Sequence, residues 1–191
     1  MTSFELVFVL ITIVTSLAVT HILTGFVSVL RNAKRVRFSA VHTLWAWSAF
    51  ILTIGNWASF WGLRSLTSWP AWTVLMSVAI MIVQYVFCSF VTPETLAEGK
   101  IDLVDFHQRE HRRYALAAGV LFGLSLILNF ALGGAHFYVE WWRDSVFSFV
   151  ALVLALMAFF VSARWAQVFS AATLAALGTY YTIVTCNVVA A

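Results

Sequence analysis

The chain has 191 residues, of which 62% are hydrophobic and 10% charged, and it carries a formal net charge of +3. Soluble domains hold roughly 25% charged residues, so this composition, with its mean hydropathy of +0.93, excludes a fold solvated by water on its outer face. Lipid is the solvent the sequence implies, and the length leaves room for membrane spans with no separate soluble module.

Charge-free runs cover 6–30, 38–63, 65–93, 114–139, 145–163 and 165–191. A bilayer core needs about 20 apolar residues per helix. The expectation is therefore an all-α, multi-pass protein, a single domain over 1–191, with spans near 5–30, 41–63, 70–92, 113–134, 145–163 and 165–189.

The first span follows Met1-Thr2-Ser3-Phe4-Glu5, which lacks the basic start of a cleavable signal peptide, and is expected to be a retained anchor. Behind it come Arg31, Lys34, Arg35 and Arg37. The second span is rich in tryptophan and ends before Arg64. Ser68-Trp69-Pro70 then reads as a helix start, with a capping hydroxyl and a proline near the first turn. The loop after span three holds Lys100, Arg109, Arg112 and Arg113, and the 101–113 segment is expected to begin the helix of span four. Span five starts after Arg143 and Asp144. Between spans five and six, Ser162-Ala163-Arg164-Trp165 lacks glycine or proline. A single helix over 145–190 would run about 69 Å against a hydrocarbon core of about 30 Å, so the chain is expected to reverse there.

With alternating spans, nine basic residues fall on one side and only Arg64 and Arg143 on the other. Short loops rich in Lys and Arg stay cytoplasmic, which gives both termini outside and a bacterial inner-membrane location. Tryptophans gather near both edges: Trp45, Trp47 and Trp165 at the inner one, Trp61, Trp69, Trp72, Trp141 and Trp142 at the outer one, as amphipathic indoles do at headgroup level. Trp57 lies deeper and needs another explanation.

The strongly polar side chains within the spans are His21, Asn56, Gln84 and Asn129. Polar groups in hydrocarbon are costly and are default candidates for function. Counting about 1.5 Å per residue, His21 and Gln84 share an inner depth, and Asn56 and Asn129 an outer one beside Tyr180 and Tyr181. His21, Thr24, Gly25 and Ser28 share one helix face, either a wetted lining or a packing seam. Acidic residues are placed in the loops or at span ends, which disfavours ion-coupled transport. Both cysteines, Cys88 and Cys186, are expected to be free.

No cofactor is expected, and two patterns would bring one. His107, Glu110 and His111 form H-x-x-E-H, a spacing that lets two imidazoles hold a metal. Against it, Asp105 and Arg109 at i, i+4 suit a solvated helix lying at anionic headgroups. Haem would need a second histidine at the depth of His21, and His42, His107, His111 and His136 all lie elsewhere. Ala115, Gly119 and Gly123, at four-residue intervals, mark a close-packing seam on span four, as do Ala171 and Ala175 on span six. The leading functional expectation is a non-enzymatic bundle that binds or passes a small uncharged or apolar molecule. An accessory subunit packing against partner proteins, and a metal- or haem-dependent enzyme, are the alternatives. The partners expected are membrane lipid, together with further copies of the chain or subunits of a membrane complex. Nothing points to nucleic acid.

Overall fold

The structure is a computed structural model that describes residues 3–66, 69–93, 101–132 and 138–190. Six α-helices account for nearly all of them: α1 (Ser3–Arg31), α2 (Ala40–Trp61), α3 (Ala71–Val91), α4 (Leu103–Leu132), α5 (Tyr138–Phe160) and α6 (Arg164–Ala190). Five of these are long and apolar enough to cross a membrane. The exception is α2, whose four tryptophans, His42 and Asn56 lower its hydropathy. It is also the helix that packs against α1, α3, α4 and α6, so its polar groups sit where helices rather than lipid surround them.

Around the bundle, α1 lies against α2 and α3, α3 against α4, α4 against α5, α5 against α6, and α6 returns to α2. The outward faces are apolar, with Leu6, Phe26, Leu75, Phe130, Phe160 and Ile183 all exposed. In water such continuous apolar cover would drive aggregation; in hydrocarbon it is the stable arrangement.

Two short strands mark one end. β1 (Val36–Arg37) pairs in parallel with β2 (Ile101–Asp102), Val36 against Ile101 and Arg37 against Asp102. The Arg37 guanidinium adds an ion pair to Asp102 at 3.2 Å. The connections after α1 and before α4 thus meet at one end of the bundle, hereafter the strand end. Helix α6 runs alongside α2 in the same direction, since Trp47 bonds Thr179 and Thr182 bonds the Ile51 carbonyl. Arg164 therefore starts α6 from the end where Ala40 starts α2.

Each helix end has a chemical cause. Ser39 caps α2 by accepting from the His42 N–H. Asp102 caps α4, its carboxylate accepting from the N–H groups of Val104 and Asp105 at 2.9 and 3.1 Å. These bonds, with Arg37, hold its pKa below the ordinary value. Pro70 is the residue before α3 rather than its first-turn proline, and it has no side-chain cap; Ser68 lies outside the described residues. The reversal between α5 and α6 occurs at 161–163 without glycine because Gln167 reaches back. Its amide donates to the carbonyls of Ala158 and Val161 at 2.7 and 2.8 Å, two of the acceptors that a helix end leaves open.

Close helix approach includes α6, where the small residues Ala171 and Ala175 are buried as their spacing suggested. A Cβ on Gly55 would lie 2.5 Å from the Thr182 hydroxyl, and one on Gly178 would lie 3.2 Å from Leu52, so α2 and α6 form the tight seam. On α4, Gly119 faces Ala155 and Leu152 at 4.0 Å, and Ala115 is buried, whereas Gly123 has nothing within 4 Å. Trp45 is likewise no edge anchor: it is 0% exposed and packs on Phe87 and Tyr114. Trp57 donates to the Thr12 hydroxyl at 3.0 Å and packs on Phe8, tying α2 to α1.

Candidate functional site

Gln84 on α3 is almost fully buried, 1% exposed. Its side-chain oxygen accepts from the Asn56 amide at 2.8 Å, and its nitrogen donates to the Thr53 hydroxyl at 3.0 Å. Cys88, one turn on, lies 3.3 Å from that hydroxyl; it and Cys186 are free thiols. Gln84 thus bonds α2 and not His21. The depth count put the two residues level, but depth alone does not give direction: the next residue, Tyr85, is the one whose ring meets His21, 5.9 Å between centroids.

Asn56 connects this network to a cavity of about 70 Å³ at the end away from the strands. Five helices converge on it. Asn56 and Ser59 come from α2, Ser125 and Asn129 from α4, Asp144 and Ser148 from α5, Tyr181 from α6, and Ile80 from α3 supplies apolar wall. Tyr181 is 6% exposed and stacks on Phe147, 4.1 Å between centroids. Tyr180 is 68% exposed and turns outward, because consecutive helical residues point about 100° apart.

Asp144 is the residue that sequence reasoning missed here. It was assigned to a loop, but α5 begins at Tyr138, which places Asp144 on the helix and against the cavity. Arg143 pairs with it at 3.0 Å, so the acid enters the low-dielectric region with its counter-charge. The signal available was that 138–144 has no helix-breaking residue.

Towards the strand end the interior closes. Ala49, Leu52, Thr53, Gln84, Phe87, Cys88, Ala118 and Leu121 are each at most 1% exposed. Beyond this plug lies an open groove of about 810 Å³ lined by His21, Thr24, Gly25, Ser89, Thr92, Phe106, Arg109, Glu110 and Arg113. The α1 face is both things its sequence allowed: Gly25 is pressed against Thr92 as a packing contact, while His21 and Thr24 line the groove.

The H-x-x-E-H residues sit on the first turns of α4, and their contacts are local. His107 hydrogen-bonds the Tyr114 hydroxyl, His111 the Gln108 carbonyl at 3.0 Å, and Glu110 pairs with Arg113 at 2.9 Å. Arg109 pairs with Asp105 at 2.9 Å. Among the described residues, no group of three His, Cys, Asp or Glu side chains is placed to hold a metal ion. Burial, helped by the nearby His111 and His42, lowers the His107 pKa to about 4. His42 itself bonds the Val91 carbonyl at 2.9 Å, satisfying the end of α3. His136 lies outside the described residues.

Comparison with protein-family models, with curated proteins and with solved structures finds no match for this chain.

Proposed function

We propose that this chain is a six-span membrane protein, strand end in the cytosol, that binds a small uncharged molecule in the five-helix cavity. The basic residues support the orientation. Arg31 to Arg37 and the 101–113 segment are joined by the strand pair, and Arg164 opens α6 at the same end, the bias that keeps loops cytoplasmic. As α2 is enclosed by four other helices, its modest hydropathy is compatible with spanning.

One observation carries the binding reading. Seven oxygen-bearing side chains from four helices, Asn56, Ser59, Ser125, Asn129, Asp144, Ser148 and Tyr181, turn into a single cavity in an otherwise close-packed apolar bundle. Asn56, Ser59, Ser125 and Asp144 already have protein partners, and the remaining donor and acceptor capacity of such groups is what a neutral guest would meet. With a water's share of liquid at about 30 Å³, the space of about 70 Å³ suits a guest of only a few heavy atoms. The Arg143–Asp144 pair cancels its own charge, which favours a neutral guest. Retention rather than passage fits the filled interior between Leu52 and Leu121.

The test is a thermal-shift panel in detergent with urea, formamide, glycerol and short alcohols, on the native protein and on Ser125→Leu, which fills the cavity. At least one compound should raise the native melting temperature and leave the variant unmoved. Equal shifts in both, or none from the whole panel, would contradict the reading.

A further inference from the structure

The groove at the strand end borders a second space that the five-helix cavity does not touch. This cleft, of about 240 Å³, lies between α1 and α2 and is walled by Phe26, Val29, Ala46, Trp47, Phe50 and Leu103. Gly25, Thr92 and Pro93 border both spaces, so an apolar slot and a polar groove lie side by side across the Gly25–Thr92 contact. The groove carries Arg109 and Arg113, with Thr24 and Ser89 as neutral hydrogen-bonding groups beside them.

We propose that this paired site holds one anionic phospholipid, its phosphate on Arg109 and Arg113 and a stretch of acyl chain in the cleft. Guanidinium groups bind phosphate oxygens in bidentate fashion, more strongly than an ammonium does. Both arginines already have carboxylate partners, Asp105 and Glu110, but these pairs are exposed at the side chains: 69% and 55% for Arg109–Asp105, 68% and 25% for Arg113–Glu110. Exposed pairs contribute little, so exchange of a carboxylate for a phosphate meets a small barrier in free energy. The charge complementarity fits an anionic head, and the apolar wall requires a hydrocarbon tail. Free phosphate would satisfy only the first. Juxtamembrane basic residues favour anionic lipid by about fivefold each, so a preference of roughly five- to thirtyfold over a zwitterionic lipid is expected.

Trp47 lines the cleft and is 46% exposed, which makes it a reporter. The protein is reconstituted in vesicles containing trace brominated-chain phosphatidylglycerol or brominated-chain phosphatidylcholine. The Trp47 share of quenching is taken as the difference from Trp47→Phe. Quenching should be stronger with phosphatidylglycerol by the stated factor in relative affinity. The double variant Arg109→Gln, Arg113→Gln should erase the preference, and Ala46→Phe should lower Trp47 quenching by both lipids. Equal quenching by the two lipids in the native protein, a preference that survives the arginine variant, or quenching indifferent to Ala46→Phe would overturn the proposal. Circular dichroism of each variant separates loss of the site from loss of the fold.

Discussion

Replacing Gln84 with methionine keeps the side-chain volume but removes every hydrogen bond it makes across to α2. Two of these are well formed, the 2.8 Å bond from Asn56 and the 3.0 Å bond to Thr53. Interhelical hydrogen bonds in membranes average about 0.6 kcal/mol, with a maximum near 1.7, so Gln84→Met should cost about 1–3 kcal/mol. Thr53 keeps its bond to the Ala49 carbonyl, and the loss falls chiefly on Asn56. A double-mutant cycle isolates that contact. Asn56→Leu and Gln84→Met, singly and together, should give a coupling energy of about 0.6–1.7 kcal/mol. The assay is reversible unfolding by SDS in mixed micelles, followed by circular dichroism. If the two single losses simply add, within about 0.3 kcal/mol, the amides do not meet and the polar network behind the cavity is wrong.

Gln167→Leu frees the carbonyls of Ala158 and Val161 and should destabilise the α5–α6 reversal by about 1–3 kcal/mol, read in the same unfolding assay; a neutral result would mean the turn is held by other means. Gly123→Ala should be neutral or stabilise by up to about 1 kcal/mol, since the added methyl meets open space and alanine favours helix. Gly55→Val should destabilise by at least about 1 kcal/mol, since it drives into Thr182; the reverse order would refute the α2–α6 seam. His107 lies on the α4 turns before the apolar span, and its folded pKa is about 4, against about 6.5 unfolded. The unfolded chain therefore binds the extra proton first. Stability should be flat above pH 7 and fall between about 6.5 and 4, by less than about 3 kcal/mol once solvent screening is allowed for, with the fall reduced in His107→Asn.

Helix number and rough placement were legible because charge is excluded from hydrocarbon, so Arg31, Arg64 and Arg164 each fall at or beside a helix end. The pair Asp105–Arg109 followed from helical spacing alone. What was not legible is rotation about each helix axis. Depth counting gave Gln84 and His21 the same level, but the turn of α3 sends Gln84 to Asn56 and Tyr85 to His21. It made Tyr180 and Tyr181 equal candidates, and only Tyr181 turns inward. Small-residue spacing on α4 and α6 was visible, while the tightest approaches in the α2–α6 seam fall at two isolated glycines, Gly55 and Gly178, 123 positions apart in sequence. The reversal after Phe160 relies on a side chain six residues beyond its acceptor, Gln167 on Val161, a contact that no local turn signal carries. Asp144 joined the cavity because α5 starts about two turns before the apolar run does.

The proposed arrangement stands on one premise: residues on either side of α2 and α3, which share an end of the bundle, also share a face of the membrane. Membrane-impermeant thiol labelling of Lys34→Cys, Gln108→Cys and Arg64→Cys, in intact cells and in inverted vesicles, tests it directly. Lys34→Cys and Gln108→Cys should react together in the inverted vesicles, and Arg64→Cys in the intact cells. Labelling of Lys34→Cys and Gln108→Cys from opposite faces would contradict both the strand pairing and the six-span reading.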